Sequence, residues 1–122
     1  MNVVQQRILG KTGKSVSLLG FGCMRLPLRP EEEGEGDFGM IDETKAIPLL
    51  RQAIDAGVNY VDTAYPYHQR QSERFVGQAL QDGYREKVML ATKLPTFVMK
   101  TADDFERVFS EQLDKLQTSY VD

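Results

Sequence analysis

"NYVDTAYPYHQRQSERFVGQAL", residues 59–80, contains one strand, one loop and one helix in that order. Its beginning, "NYVDTA", is rich in β-branched and aromatic side chains and predicts a short strand. A loop with two tyrosines and a proline follows, and Ser72 starts a helix. The inner face of this helix is predicted to consist of Phe75, Val76, Ala79 and Leu80. The apolar run "VMLAT", residues 88–92, then predicts a parallel strand that is buried on both faces.

On the amino-terminal side, the sequence predicts a hairpin, a strand and another helix. Apolar segments at residues 8–9 and 16–19 flank the turn "GKTG", which predicts a β-hairpin followed by a strand through Phe21. From Asp42 onwards apolar residues recur at helical spacing. Asp42 or Thr44 is the predicted N-cap of this helix, and Gly57 its stop.

On the carboxyl-terminal side, a third helix is predicted from Thr101. The spacing from Thr101 to Asp104 resembles a capping box with Asp in the usual place of Glu. The apolar stripe of this helix is predicted to contain Phe105, Val108, Phe109, Leu113 and Leu116. Residues 119–122, "SYVD", predict the beginning of a fourth strand.

The order of these elements predicts an α/β fold. Strands near Ser17, Asn59, Val88 and Ser119 alternate with helices, which indicates a parallel sheet with helices outside. A doubly wound sheet and a closed (β/α) barrel share this order, and periodicity does not separate them. A fourth strand without a covering helix would leave an unpaired edge. We therefore expect residues 1–122 to be the first part of one larger domain.

Composition and charge restrict the function classes. The 122 residues are 41% hydrophobic and 27% charged, which is typical of a soluble globular domain. The net charge is −3 and the basic residues are dispersed, so neither nucleic acid nor a membrane surface is an expected partner. The chain contains no 18-residue apolar run and no signal-peptide pattern, from which we predict a cytoplasmic protein. The acidic segment "RPEEEGEGDFG", residues 29–39, predicts a solvated loop.

Phosphate-loop and metal motifs are absent from the sequence. In "GKTGKS" two residues separate Gly10 from Gly13, where a phosphate loop requires four. In "LGFGCM" Arg25 stands where a dinucleotide fingerprint requires its third glycine, which argues mildly against a doubly wound sheet. The single cysteine, Cys23, excludes an internal disulfide, and the single histidine, His68, lacks ligands at metal spacing, so no metal is predicted.

Three polar residues are predicted at the carboxyl ends of the strands, where parallel α/β folds place their reactive groups. Asp62 ends the second strand, Tyr67 follows it, and Lys93 ends the third. A lysine beside a phenol favours the phenolate, and an aspartate compensates the lysine, so the group could protonate a carbonyl oxygen as hydride arrives at its carbon. Taken singly, Asp62 could cap a loop, Lys93 could be an exposed strand end, and Tyr67 could be a packing aromatic.

The stretch "NYVDTAYPYHQRQSERFVGQAL" resembles the aldo-keto reductase signature, in which Asp-Thr-Ala and a tyrosine precede Ser-Glu, a glycine and Ala-Leu. "GFGCMRLP" and "ATKLP" are also similar to that family, and the resemblance extends over almost the whole chain. It implies a (β/α)8 barrel, of which this chain would form about three and a half βα units. It also implies a β-hairpin that closes the bottom of the barrel, and reduction of carbonyls with NADPH at the top.

By position, the resemblance implies a role for each of the three polar residues. Tyr67 would be the general acid, Lys93 its partner, and Asp62 the residue that pairs with the lysine. Tyr65 would be the neighbouring, non-catalytic tyrosine. The cofactor-binding residues implied by the resemblance are Gly22, Cys23, Met24 and Asp62. The substrate would be a small aldehyde or ketone.

The sequence also departs from the family. His68 stands where most members have glycine, and "YVDTAYPYH" is most similar to a bacterial subgroup with a ferredoxin-like tail, for which this chain lacks the cysteines. The histidine that orients the carbonyl in the family, and most residues that grip the cofactor, would lie beyond Asp122. We therefore expect the isolated chain to be inactive and to self-associate. The alternative is a non-catalytic, truncated relic or an interaction module built on half a barrel.

Overall fold

The computed structural model describes residues 4–32, 34 and 39–122, and the predicted acidic loop at 29–39 therefore lies partly outside the described residues. The strands are β1 (Gln6–Ile8), β2 (Ser15–Ser17), β3 (Phe21–Gly22), β4 (Tyr60–Asp62) and β5 (Met89–Ala91). The helices are α1 (Glu43–Asp55), α3 (Ser72–Ala79) and α4 (Asp104–Leu116). Between β4 and α3 lies the single turn α2 (Tyr67–Arg70), in which His68 and Gln69 have left-handed backbone angles. Pro30–Glu32 forms one turn of 3-10 helix in the part of the acidic segment that is described.

β3, β4 and β5 form a parallel sheet in the order in which they follow along the chain. Gly22 pairs with Asp62, and Asp62 pairs with Ala91, so the three strands end at the same level. Helix α1 packs against α3, and α3 packs against α4, which places the helices in a row outside the sheet. Within the described residues the strand order never reverses, as in a barrel, whereas a doubly wound sheet reverses at its switch point.

The hairpin lies at the opposite end of the sheet from these strand ends. β1 pairs with β2, and the link to the sheet is Asn59, the residue before β4. The Asn59 side chain accepts a hydrogen bond from the Ser17 amide (2.7 Å) and donates one to the Ser15 carbonyl (2.9 Å). The hairpin therefore closes the amino ends of the strands, as expected, and leaves the carboxyl ends open.

The first parallel strand begins later than predicted. Ser17 belongs to the hairpin strand β2, and the parallel strand is Phe21–Gly22. The Ser17 hydroxyl donates to the Leu19 carbonyl (2.7 Å), and this bend separates the hairpin from the sheet. The prediction near Ser17 was wrong because the apolar run 16–19 crosses a turn that periodicity does not reveal.

The carboxyl-terminal predictions also need correction. Within the described residues no strand forms at 119–122, where the Asp122 amide makes a single backbone hydrogen bond to the Leu90 carbonyl (2.9 Å). Helix α4 begins at Asp104 rather than Thr101, because the Asp104 carboxylate accepts hydrogen bonds from the Lys100 and Thr101 amides and holds the preceding residues in a turn. For α1 the prediction of the N-cap is confirmed. Of the two candidates, Asp42 is the N-cap, and its side chain accepts a hydrogen bond from the Thr44 amide.

The core lies between the sheet and the helix row. Its fully buried members include Leu50 from α1, Val61 from β4, Phe75 from α3 and Leu90 from β5. On α4 the predicted stripe is only partly inside, since Val108 and Leu116 are buried while Phe105 is 41% exposed. Within the residues that the structure describes, no helix combines the length and apolar character needed to cross a bilayer.

Candidate active site at the carboxyl ends of the strands

Asp62 and Lys93 meet above the ends of β4 and β5. The Lys93 Nζ donates to Asp62 Oδ2 (2.9 Å) and to the Thr63 carbonyl oxygen (2.9 Å). Asp62 is the last residue of β4, and Lys93 lies two residues beyond β5, so the parallel register brings the two side chains together. Both side chains are roughly half exposed, and such a pair contributes little to stability. Its position at the rim is better explained by chemistry than by stability.

Tyr67 lies beside the same ammonium group. Its half-buried ring has its centroid 4.8 Å from Lys93 Nζ. Burial alone would lower the pKa of Lys93, but interactions with the Asp62 carboxylate and the Tyr67 hydroxyl outweigh burial and raise the pKa. Lys93 is therefore held as a cation between an acid and a phenol. The three residues that the sequence predicted at the strand ends are brought together by the fold.

The second tyrosine, Tyr65, points elsewhere. It is buried, its hydroxyl donates to Glu111 Oε1 (3.1 Å), and its ring meets Phe97 edge to face. Lys115 Nζ lies 3.8 Å from the centroid of the ring. Desolvation, together with the hydrogen bond to Glu111, raises the pKa of Tyr65. Tyr65 thus belongs to the packing between this loop and α4, and Tyr67 is the tyrosine at the rim.

The segment after β3 supplies one open position and one buried thiol. A side chain at Gly22 would meet nothing within 4 Å, so the end of β3 faces open space. Cys23 is fully buried, its amide donates to the Asp62 carbonyl (2.9 Å), and its carbonyl accepts from the Ser72 hydroxyl (2.8 Å). Of the residues predicted to contact the cofactor, Gly22, Met24 and Asp62 are accessible, whereas the polar atoms of the Cys23 backbone are already paired.

A chain of hydroxyls holds β3, β4 and α3 together below the rim. Because the Ser72 hydroxyl donates to Cys23, the Thr63 hydroxyl donates to Ser72 (2.8 Å). Both hydroxyl residues are fully buried. The chain fixes the residue that follows Asp62 relative to the segment that follows β3.

Glu73 is a buried carboxylate beneath Lys93. Its Oε2 accepts hydrogen bonds from Thr92 (2.8 Å) and Gln112 (3.0 Å), and Gln112 also donates to the Lys93 carbonyl (2.9 Å). Oε1 has no hydrogen-bond partner, and Lys115 Nζ lies 3.8 Å away. Burial raises the pKa of Glu73, while the hydrogen bonds from Thr92 and Gln112 act in the opposite direction. The main chain of Lys93 is thus anchored to α4 through Gln112.

The sequence prediction assigned no role to this buried network. Glu73 was part of the quoted resemblance, but its burial was not predicted. A signal was present in the periodicity, because Gln112 falls four residues after Val108 on the buried face of α4. A polar residue on an apolar stripe indicates a buried hydrogen-bonding partner.

Among the described residues, no group of three or more His, Cys, Asp or Glu side chains could hold a metal ion. The arrangement at the rim instead resembles a proton-transfer site, in which the Lys93 ammonium contacts both the Asp62 carboxylate and the Tyr67 phenol.

Comparison with known proteins supplies the context of this site. A family model described as the aldo/keto reductase family matches residues 18–122. L-galactose dehydrogenase from Arabidopsis thaliana is 34% identical over 129 aligned positions, which cover 100% of this chain and 37% of that protein. The chain therefore spans little more than a third of the length of this relative.

Two solved structures that resemble this chain are also aldo-keto reductases. An aldo-keto reductase from Bacillus halodurans in its holo form superposes with a TM-score of 0.73 at 34% identity, over 98% of this chain and 38% of the other. An aldo-keto reductase from Klebsiella pneumoniae in complex with NADPH superposes with a TM-score of 0.69 at 29% identity, over 90% of this chain and 34% of the other. These folds are (β/α)8 barrels, and the three-stranded sheet described above is a part of such a barrel.

Proposed function

The chain belongs to the aldo/keto reductase family, and from this premise we propose that it supplies the proton-donating part of an NADPH-dependent oxidoreductase that reduces a small aldehyde or ketone. NADPH is the cofactor of the family, as solved members in complex with NADPH and with NADP illustrate. We propose further that residues 1–122 form the amino-terminal portion of a single barrel domain.

The contact of Tyr67, Lys93 and Asp62 at one rim is the observation that carries this proposal. Lys93 Nζ is 2.9 Å from Asp62 Oδ2 and 4.8 Å from the centroid of the Tyr67 ring. Each residue comes from a different segment, and Asp62 and Lys93 are 31 positions apart in the sequence. A structural role for each residue separately would not require all three to converge at the open ends of the strands.

In the proposed mechanism Tyr67 donates its hydroxyl proton to the carbonyl oxygen. Lys93 stabilises the phenolate that this transfer leaves behind, since a cation beside a phenol favours its charged form. Asp62 holds the ammonium in place through its hydrogen bond. NADPH, when bound, supplies the hydride that reduces the carbonyl carbon. Such general acid catalysis typically contributes about 10²–10⁴-fold to a rate.

The residues around Gly22 fit a cofactor bound at this rim. The Gly22 position faces open space, and the half-exposed Lys93 and Asp62 border the same end of the sheet. As the resemblance implies, Gly22, Met24 and Asp62 would be able to contact bound NADPH here. Cys23 would line the cofactor site without a hydrogen bond to the cofactor, because its backbone amide and carbonyl are already paired within the chain.

We expect the 122 residues by themselves to show little activity. The solved relatives are more than twice as long as this chain, and much of an enzyme's rate comes from contacts that position its reactants. The measurement is a fluorescence titration of the 122-residue chain with NADPH, together with turnover of small aldehydes. Saturable binding with turnover would contradict this expectation and would show that the chain alone builds the site.

Substitution of the two tyrosines tests the proposed role of Tyr67. Tyr67→Phe removes the proton donor and should lower turnover by about 10²–10⁴-fold. Tyr65→Phe removes the same atom from a buried position and serves as the matched control, with turnover within a few fold of the original. Both are measured as consumption of NADPH by the longest polypeptide that the gene encodes. Full activity of the Tyr67→Phe variant would exclude Tyr67 as the general acid and would indicate that another group donates the proton.

A further inference from the structure

His68 is fully buried and both of its ring nitrogens are hydrogen-bonded to the main chain. Nε2 lies 3.1 Å from the Leu26 amide nitrogen, and Nδ1 lies 2.9 Å from the Gly39 carbonyl oxygen. A backbone amide can only donate and a carbonyl can only accept, so Nε2 is the acceptor and Nδ1 carries the proton. The two partners fix both the tautomer and the orientation of the ring.

The two partners of His68 belong to one small ribbon between β3 and α1. Residues 26–29 and 39–42 run alongside each other, with hydrogen bonds from the Arg29 amide to the Met40 carbonyl (3.0 Å) and from the Asp42 amide to the Pro27 carbonyl (2.8 Å). Leu28 and Ile41 form an antiparallel bridge in it. His68 therefore bonds to both strands of this ribbon. We call it the β3–α1 ribbon.

The backbone around His68 needs this support. His68, Gln69 and Arg70 have positive φ angles of 50°, 55° and 67°. Residues other than glycine rarely occupy this left-handed region, although asparagine, aspartate and histidine do so more often than the rest, and three such residues in a row are unusual. Such conformations persist where the surrounding structure over-determines them, and they cluster at active sites. Tyr67 immediately precedes this turn. The direction in which its phenol points therefore depends on how the turn is held.

We propose that His68 is a positioning residue, which locks the left-handed turn to the β3–α1 ribbon and thereby holds Tyr67 against Lys93. This proposal rests on the proposed function, since it assigns His68 a role only through the proton donor. The ring itself does not reach the reacting atoms, because both of its nitrogens are already bonded to the main chain. Its action is mechanical, and loss of the ring should move Tyr67 away from the ammonium.

Two substitutions separate the ring from the backbone strain. His68→Gly relieves the positive φ and removes both hydrogen bonds. His68→Asn keeps a side chain that can donate and accept, on a residue that tolerates the left-handed region. If the ring positions Tyr67, the glycine variant should lose the Tyr67–Lys93 contact and most of its turnover, even though its backbone is less strained. The asparagine variant should retain part of it.

The structural arm of the test uses NMR on the 122-residue chain. We expect long-range ¹⁵N correlations of His68 to show the proton on Nδ1, a Leu26 amide that exchanges slowly, and a contact between the Tyr67 ring and the Lys93 ε-methylene. In His68→Gly the Leu26 amide should exchange fast and the contact should vanish. Persistence of the Tyr67–Lys93 contact in His68→Gly would overturn the proposal, whatever the activity.

The functional arm measures kcat and KM for an aldehyde, and the Kd for NADPH, with the longest polypeptide that the gene encodes. Displacement of the proton donor should lower kcat of His68→Gly by about 10²-fold, with the Kd for NADPH nearly unchanged. His68→Asn should recover a measurable part of kcat. Loss of kcat in parallel with loss of NADPH binding would overturn the positioning role and indicate general unfolding. Full activity of Tyr67→Phe, with the Tyr67–Lys93 contact intact in the original chain, would refute the proposed role of Tyr67 as proton donor but not the hold of His68 on the left-handed turn.

Discussion

At the scale of single residues, the same chemical group behaves differently according to burial. The site contains one carboxylate at the surface, Asp62, and one that is fully buried, Glu73, only 11 positions later in the sequence. Asp62 keeps contact with solvent and pairs with Lys93, whereas Glu73 has an oxygen without a hydrogen-bond partner. Burial of such an oxygen is costly, and the two hydrogen bonds that Glu73 Oε2 accepts from Thr92 and Gln112 offset part of that cost.

The Cys23 thiol should be chemically inert in the folded chain. Burial, with a smaller effect of Asp62, raises its pKa to about 12, and the opposite effect of Lys93 is smaller still. The reactive thiolate is therefore almost absent at neutral pH. We expect slow reaction with a disulfide reagent in buffer and fast, stoichiometric reaction in denaturant. Rapid labelling of the folded chain would show that the segment after β3 opens.

Glu73 should make the free energy of unfolding fall as pH rises, the opposite of the usual effect of a carboxylate. Because burial raises its pKa above the ordinary 4.5, the folded state binds the proton more tightly than the unfolded state. The stabilising contribution is present below pH 4.5 and is lost as pH rises through the folded-state pKa. Glu73→Gln should remove this decline, as measured by urea unfolding from pH 4.5 upwards.

The control for this pH series is Glu86→Gln, which changes an exposed glutamate. Asp42, Asp104 and Asp122 have pKa values lowered from 3.8, and Glu111, which pairs with Lys115, has a pKa lowered from 4.5. Their contributions are lost as pH falls below these values, so they act at or below the lower end of the range compared. If the original chain and the Glu73→Gln variant showed the same pH profile above 4.5, the buried carboxylate would be fully compensated by Lys115.

At the scale of elements, the contact between α3 and α4 determines the position of the buried network. A side chain at Gly77 of α3 would collide with the Lys115 carbonyl oxygen and would come within 2.8 Å of the Leu116 carbonyl carbon. Helices α3 and α4 therefore pack closely at Gly77, and this close packing brings Gln112 of α4 within hydrogen-bonding distance of Glu73 of α3. The helices α1 and α3 are linked differently, through Arg51, whose Nε donates to the Ala79 carbonyl (2.9 Å).

Gly77→Ala should destabilise the chain despite the better helix propensity of alanine. Alanine would gain about 1 kcal/mol in an exposed helix, but the added methyl group forces α4 outwards, and overpacking of this kind costs about 1–3 kcal/mol. Urea unfolding measures the balance. Arg74→Ala, on the exposed side of the same helix, is the control. An unchanged or raised midpoint for Gly77→Ala would mean that α4 shifts freely.

At the scale of the whole molecule, the exposed large apolar side chains of the described residues include two groups. The hairpin end carries Leu18 and Leu19, which are 58% and 62% exposed, and the region before and at the start of α4 carries Phe97 and Phe105, at 65% and 41%. Isolated exposed apolar residues are common, but clusters of them favour association. The two solved relatives described above are more than twice as long as this chain.

We expect the 122-residue chain to self-associate through these surfaces. Light scattering should give a mass above that of the monomer, and the mass should rise with concentration. Leu18→Ser with Leu19→Ser, and separately Phe97→Ser with Phe105→Ser, show which end is involved. A concentration-independent monomer would contradict the expectation and would mean that the exposed side chains are too dispersed to bind a second copy.

The local sequence determined the α/β alternation, the N-cap of α1 and the positions of Asp62, Tyr67 and Lys93 at the strand ends. These features depend on periodicity, capping and strand boundaries, each of which extends over a few residues. Errors arose where one apolar run crossed a turn, near Ser17, and where too few backbone hydrogen bonds form for a strand, at 119–122.

Only the tertiary structure decided the surroundings of these residues. His68 bonds to Leu26 from 42 positions away, and Glu73 bonds to Gln112 from 39 positions away, so nothing in either neighbourhood predicts the partner. The same holds for Arg85, which is buried and anchors the Tyr120 carbonyl and the Asp122 carboxylate. Polar side chains acquire their roles from burial and from the geometry of distant partners. Both properties arise only when the strands and helices pack.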